Sequence, residues 1–197
     1  MTDDSFGSEF TIRLNPSFDG NCQFVAISDQ LQGAKQLIIS QSDIRNRVMA
    51  HLHANQSTID DKGLPMSLEN YVTKDWNRYC DEMARDKTFG DHLTVLAAAR
   101  IFNVQFLVIS SLGVQATRLV TPAQNYDPCL STLLIGHYAE TGGGLRQHYV
   151  SLDVRCEKDK KTIFDKLLDN IHSASSSVHD AGPAGSPTCL EELAGTV

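Results

Sequence analysis

Apolar residues recur at helical spacing through the first half of the chain and gather into short continuous runs in the second. Phe24, Ile27 and Leu31 follow the turn-forming Asp19-Gly20-Asn21, which predicts a helix over Cys22–Leu31 with Asn21 as its N-cap. Ile44, Val48 and Leu52 form one stripe and predict a second helix from Asp43 to Ala54, capped by Ser42 or Asp43. A third helix is expected from about Ser67 to Arg85, broken near Lys74, with Leu68, Tyr71, Val72, Trp76, Tyr79 and Met83 as apolar anchors. A fourth begins at Asp91 and carries Leu93, Leu96, Ala97 and Ile101.

The period then changes. Val104–Ser110 is an almost unbroken β-branched and aromatic run, as a buried strand requires. Val114–Val120, Leu133–Tyr138 and Tyr149–Val154 supply three more strand candidates between segments holding Gly, Pro or Asn. Gly142-Gly143-Gly144 has the composition of a hairpin loop between the last two. Helices first and strands afterwards indicate an α+β layer arrangement instead of alternating βαβ units, and Lys160–Ile171 adds a closing helix. From Ser173 onward Ser, Ala, Gly and Pro replace large apolar residues, so 173–197 is expected to be a flexible tail or linker. The expected division is an N-terminal extension over 1–11, one catalytic-size domain over 12–172, and that tail.

Composition narrows the function. The 197 residues, 41% of them hydrophobic and 21% charged, suit one ordinary folded domain. A formal net charge of −7 speaks against DNA or RNA as the main partner and favours one with a basic face. No stretch reaches the roughly 20 apolar residues that span a bilayer, so no membrane association is expected. Five scattered cysteines without a close pair suggest neither a disulfide framework nor a zinc site, and place the chain in a reducing compartment, the cytoplasm with the nucleus as a second location.

Cys22 is the sharpest chemical signal. A cysteine in the first turn of a helix meets unpaired N–H groups and the positive end of the macrodipole, which favour a thiolate. The backbone N–H groups of Gly20, Asn21 and Cys22 could then face a developing oxyanion, with Gly20 allowing close approach of a substrate. The opposing reading is a small buried residue at a helix start. A thiol nucleophile needs a base, and seven histidines compete for the role. His51, His53, His92, His172 and His179 fit solvated positions, whereas His137 and His148 each precede a Tyr beside an expected strand; spacing alone does not choose between them. Trp76, Tyr71 and Tyr79 fit core packing, and Cys80, Cys129, Cys156 and Cys189 ordinary thiols.

Asp19-Gly20-Asn21-Cys22-Gln23-Phe24 followed by Ala26-Ile27 resembles the nucleophile motif of the ovarian-tumour (OTU) family of cysteine proteases, and His148-Tyr149-Val150-Ser151-Leu152 its closing motif. Phe89-Gly90-Asp91-His92-Leu93 leading into Ala97-Ala98-Ala99 is similar to the family's middle block, and Ser42-Asp43-Ile44-Arg45 to its polar helix start. The resemblance covers residues 12 to 155 in the family's order. It implies a papain-like fold with helices packed around a small central sheet, no cofactor, and hydrolysis of isopeptide bonds after the C-terminal glycine of ubiquitin. Cys22 would be the nucleophile, His148 the general base and acid, and Asp19 the motif aspartate. The alternatives are a non-catalytic ubiquitin-binding module of the same fold, or a thiol protease acting on a ubiquitin-like modifier. Gln23 stands where the family commonly has Leu, Phe89 where it has Trp, and Val150 where many members carry an Asp or Asn that orients the imidazole. The first two are expected to be tolerated packing changes.

Overall fold

The computed structural model describes residues 5–59, 64–123, 127–139 and 147–176. Seven strands and five α-helices occur among them. A five-stranded mixed sheet runs in the order β1 (Phe10–Leu14), β7 (His148–Val154), β6 (Thr132–Tyr138), β4 (Gln105–Ser110), β5 (Arg118–Val120). The β4 and β6 strands are parallel and the other neighbours antiparallel. Helices α1 (Cys22–Lys35), α2 (Gln41–Ala54), α3 (Trp76–Met83) and α4 (His92–Phe102) share one core with one face of this sheet. The last helix, α5 (Lys160–Ser176), supplies Ile163, Phe164, Leu167 and Ile171 to a smaller core on the other face. Alternation along β4 divides the two: Phe106 and Val108 enter the helical core, Leu107 and Ile109 the smaller one.

The α+β reading and the positions of β4, β6 and β7 hold. Local hydrogen bonding moves several boundaries. Ser40, not Ser42 or Asp43, caps α2, its Oγ accepting from Asp43 N at 3.1 Å. The expected third helix is a 3₁₀ turn at Leu68–Tyr71 followed by α3, because Asp75 starts a new helix by accepting from Arg78 N at 3.0 Å. Asp91 and Thr94 close a full capping box at α4, as the position of Asp91 suggested. Val114–Ala116 is another 3₁₀ turn, leaving β5 only three residues. A small hairpin of β2 (Ser57–Ile59) and β3 (Pro65–Ser67) had no signal in the sequence pattern.

Both ends of the expected domain also shift. Phe6 and Phe10 are 6% and 3% exposed, and β1 pairs with β7 from Phe10 onward, so part of the 1–11 extension belongs to the fold. Two aromatic side chains in the smaller core supply the burial that holds this strand in place. At the other end α5 continues to Ser176, past the expected start of the tail. The Gly142–Gly144 loop, and 177–197 with His179 and Cys189, lie outside the described residues.

Candidate active site

The turn before α1 is built by its own side chains. Asp19 Oδ1 accepts from Asn21 N at 3.0 Å, and Gly20 lies at φ +87°, a left-handed value that suits glycine. A Cβ at Gly20 would sit 2.0 Å from the Lys87 carbonyl oxygen, so the 83–88 segment presses directly on the turn. Asn21 does not cap α1 with its side chain, contrary to expectation. Its Oδ1 accepts from Arg45 Nη2 at 2.7 Å and Lys87 N at 3.2 Å, while its Nδ2 donates to Asp86 at 2.9 Å. The Asn21 amide, expected as an oxyanion donor, is already engaged by Asp19.

Cys22 is the first residue of α1 and is 1% exposed. Burial pushes its thiol above the ordinary value and Asp19 adds to the rise, against the backbone N–H groups of Tyr149, Gln23 and Cys22 itself, which favour the thiolate. A helix start alone implied an ionised sulfur; in the resting molecule desolvation outweighs those donors and the thiol is neutral. The N–H of Tyr149 also locates the sulfur, since it belongs to the residue after His148.

His148 opens β7, opposite Tyr138 in the register, and His137 stands one step along, opposite Tyr149. His148 Nε2 lies 2.8 Å from Asn15 Oδ1. An amide oxygen only accepts, so Nε2 carries the proton and Nδ1 the lone pair. That Nδ1 is buried and has no hydrogen-bond partner among the described residues. The ring lies 5.2 Å from Phe18 and 6.1 Å from Tyr138, and burial lowers its pKa, leaving it neutral at neutral pH. Asn15 had no signal in the sequence. Val150, where an orienting residue was sought, is fully buried in the smaller core against Gly136.

The His137 ring stacks on Tyr149 at 4.7 Å, and burial pushes its pKa down to about 4. His92, expected in solvent, is substantially covered, with its ring 6.2 Å from Tyr71 and its pKa lowered by burial. Both imidazoles line a cavity of about 580 Å³ with Phe89, Gly90, Gln147 and Tyr149. Gln23 is no simple packing residue: it is wholly buried, donates to Asp91 O at 2.9 Å and accepts from Thr94 Oγ1 at 2.5 Å. Tyr79 donates to both Asp91 carboxylate oxygens at 3.0 and 2.9 Å, completing a polar layer behind the nucleophile. Trp76 and Tyr79 are core residues stacked at 5.5 Å, and Cys80 is buried with its thiol pushed up to about 11.

Asn15 thus holds His148 at the start of β7, and the next residue, Tyr149, presents its backbone N–H to Cys22 at the start of α1. The chain belongs to the OTU-like cysteine protease family, whose model matches residues 17–149. Among its relatives in Arabidopsis thaliana, OVARIAN TUMOR DOMAIN-containing deubiquitinating enzymes 9 and 10 are 36% and 33% identical over 93 residues, 47% of this chain. The matched stretch spans only 24% and 23% of those two relatives' length. Solved structures share the fold. An ovarian tumour domain in complex with ubiquitin superposes with a TM-score of 0.52 at 18% identity, over 89% of this chain and 91% of that one. The OTU domain protease of Taggert virus gives 0.51 at 19% identity, over 75% and 81%.

Proposed function

We propose that this chain is a cysteine-type deubiquitinase that hydrolyses the isopeptide bond after ubiquitin's C-terminal glycine. The observation that carries the reading is the Cys22 sulfur facing the backbone of Tyr149, the residue after His148, whose imidazole is held at Nε2 by Asn15 and keeps Nδ1 without a partner among the described residues. In the resting state thiol and imidazole are both neutral. When a substrate carbonyl arrives, His148 Nδ1 takes the thiol proton and the thiolate attacks the carbonyl carbon. The N–H groups of Cys22 and Gln23 at the start of α1 receive the developing oxyanion. Protonated Nδ1 then delivers its proton to the departing lysine amine, leaving a thioester. His148 next deprotonates a water, which attacks the thioester, and the returning proton restores the thiol. Asp19 acts through the turn it holds, and Asn15 keeps the imidazole in the tautomer this sequence needs.

Only a narrow peptide reaches a nucleophile this deeply covered, which agrees with the slim C-terminal stretch of ubiquitin. The free thiols and the reading of substrate together support a cytoplasmic location, with the nucleus as a second one. No helix of the described residues is long and apolar enough to cross a membrane.

Ubiquitin carrying a C-terminal electrophile should label Cys22 and no other residue. His148→Ala should abolish turnover while His137→Ala retains most of it. Folded protein that resists the probe would sink the proposal, and stronger labelling by a ubiquitin-like modifier would transfer it to that substrate. The 1% exposure of Cys22 favours a second reading, a non-catalytic ubiquitin-binding module. Ubiquitin binding without turnover, unchanged by Cys22→Ala, would establish that one.

A further inference from the structure

Arg45 on α2 carries a guanidinium into the interior at 2% exposure, a placement that costs several kcal/mol unless its donors are satisfied. Nε has no hydrogen-bond partner among the described residues, and the bonds of Nη1 and Nη2 all go to two chain segments. Nη1 donates to Met83 O at 2.8 Å, and Nη2 to Thr88 O at 2.8 Å, Asn21 Oδ1 at 2.7 Å and Gly20 O at 3.2 Å. The guanidinium carbon stands 4.0 Å from the centroid of the Phe24 ring, two residues beyond the nucleophile. One buried cation therefore ties the turn that precedes Cys22 to the 83–88 segment that presses on Gly20. An apolar side chain could pack α2 here without the desolvation cost, so the charge calls for a reason of its own.

Resting on the thiol chemistry proposed above, we infer that Arg45 is a positioning residue for the nucleophile. It fixes the Gly20–Asn21 turn so that the N–H groups of Cys22 and Gln23 face the attacked carbonyl. Its charge stabilises the negative charge that passes from the Cys22 sulfur to the oxyanion. Arg45 interacts electrostatically with Cys22, Asp19 and Asp86. Tyr149 on β7 also interacts with Cys22, His148 precedes it on the same strand, and Asp91 at the start of α4 acts on Tyr149. Asp19 opposes thiolate formation, and Arg45, which interacts with both Asp19 and Cys22, carries the opposite charge.

The test compares Arg45→Met and Arg45→Lys with the wild-type full chain, with folding checked by circular dichroism and thermal unfolding. Two quantities are read: the pH midpoint of Cys22 alkylation by iodoacetamide, located by peptide mass spectrometry, and kcat and KM on a ubiquitin conjugate. Arg45→Met should raise the midpoint by about one pH unit, so that alkylation at a fixed pH below it slows about tenfold. It should also lower kcat at nearly constant KM. Arg45→Lys should restore the midpoint but not kcat, since a point charge replaces the fork that grips the turn. Either quantity unmoved in folded Arg45→Met overturns the inference. Should that variant fail to fold, Arg45→Lys decides alone: reduced kcat at constant KM supports the role and wild-type kcat overturns it. Alkylation needs no ubiquitin, so an inactive wild type would defeat the deubiquitinase reading while the midpoint comparison still judged the buried charge.

Discussion

Removing the Asn15 amide isolates how His148 is oriented, because the bond joins two elements far apart in sequence and touches no other part of the proposed machinery. Asn15 is exposed and its oxygen lies 2.8 Å from Nε2, so water can replace it; the net worth of such a bond is about 0.5–1.5 kcal/mol. Phe18 and Tyr138 still flank the ring in Asn15→Ala, which limits the freedom it gains. At about 1.4 kcal/mol per factor of ten, kcat should fall roughly 2- to 13-fold with KM nearly unchanged. Asn15→Asp keeps the acceptor and adds a negative charge. Burial holds the wild-type imidazole below its ordinary pKa, so the neutral base is populated above a midpoint lower than 6.5, and activity falls as pH drops through that midpoint. The added carboxylate favours the imidazolium and must move this acid limb to higher pH. A pH series of kcat/KM on a fluorogenic ubiquitin substrate reads both effects. Wild-type kcat in Asn15→Ala, or an acid limb in Asn15→Asp that stays or moves downward, would refute the assignment of Asn15 as the imidazole's partner.

Two further substitutions probe the ground beneath the nucleophile. Gly20→Ala places a methyl 2.0 Å from the Lys87 carbonyl at a positive φ, so it should cost roughly 1–3 kcal/mol of stability and suppress probe labelling of Cys22; unchanged unfolding temperature and labelling would contradict the packing described. Gln23→Leu installs the residue common in the family but strands the partners of a fully buried amide. A loss of about 1–3 kcal/mol, seen as a fall in Tm of roughly 5 °C, is expected, and a stability gain would show that the polar layer with Thr94 and Asp91 contributes nothing.

The sequence by itself determined what depends on neighbours along the chain. The stripe Phe24, Ile27, Leu31 marks α1, the Asp91 cap starts α4, and the apolar run of β4 is buried at every position. The cysteine at the start of α1 was legible for the same reason, since a turn followed by a helical period is a local pattern. Tertiary structure decided everything that joins distant segments through polar atoms. Asn15 reaches His148 across 133 positions only because β1 pairs with β7, held there by Phe6 and Phe10. Gln23 in place of Leu suggests simple packing until α4 brings Asp91 and Thr94 against it, and Arg45 passes for a surface charge until two loops close over it. The state of the Cys22 sulfur belongs to this second group as well. Helix position favours a thiolate, but burial by the assembled fold opposes it more strongly, and desolvation is set by every segment packed around an atom, not by its place in the chain.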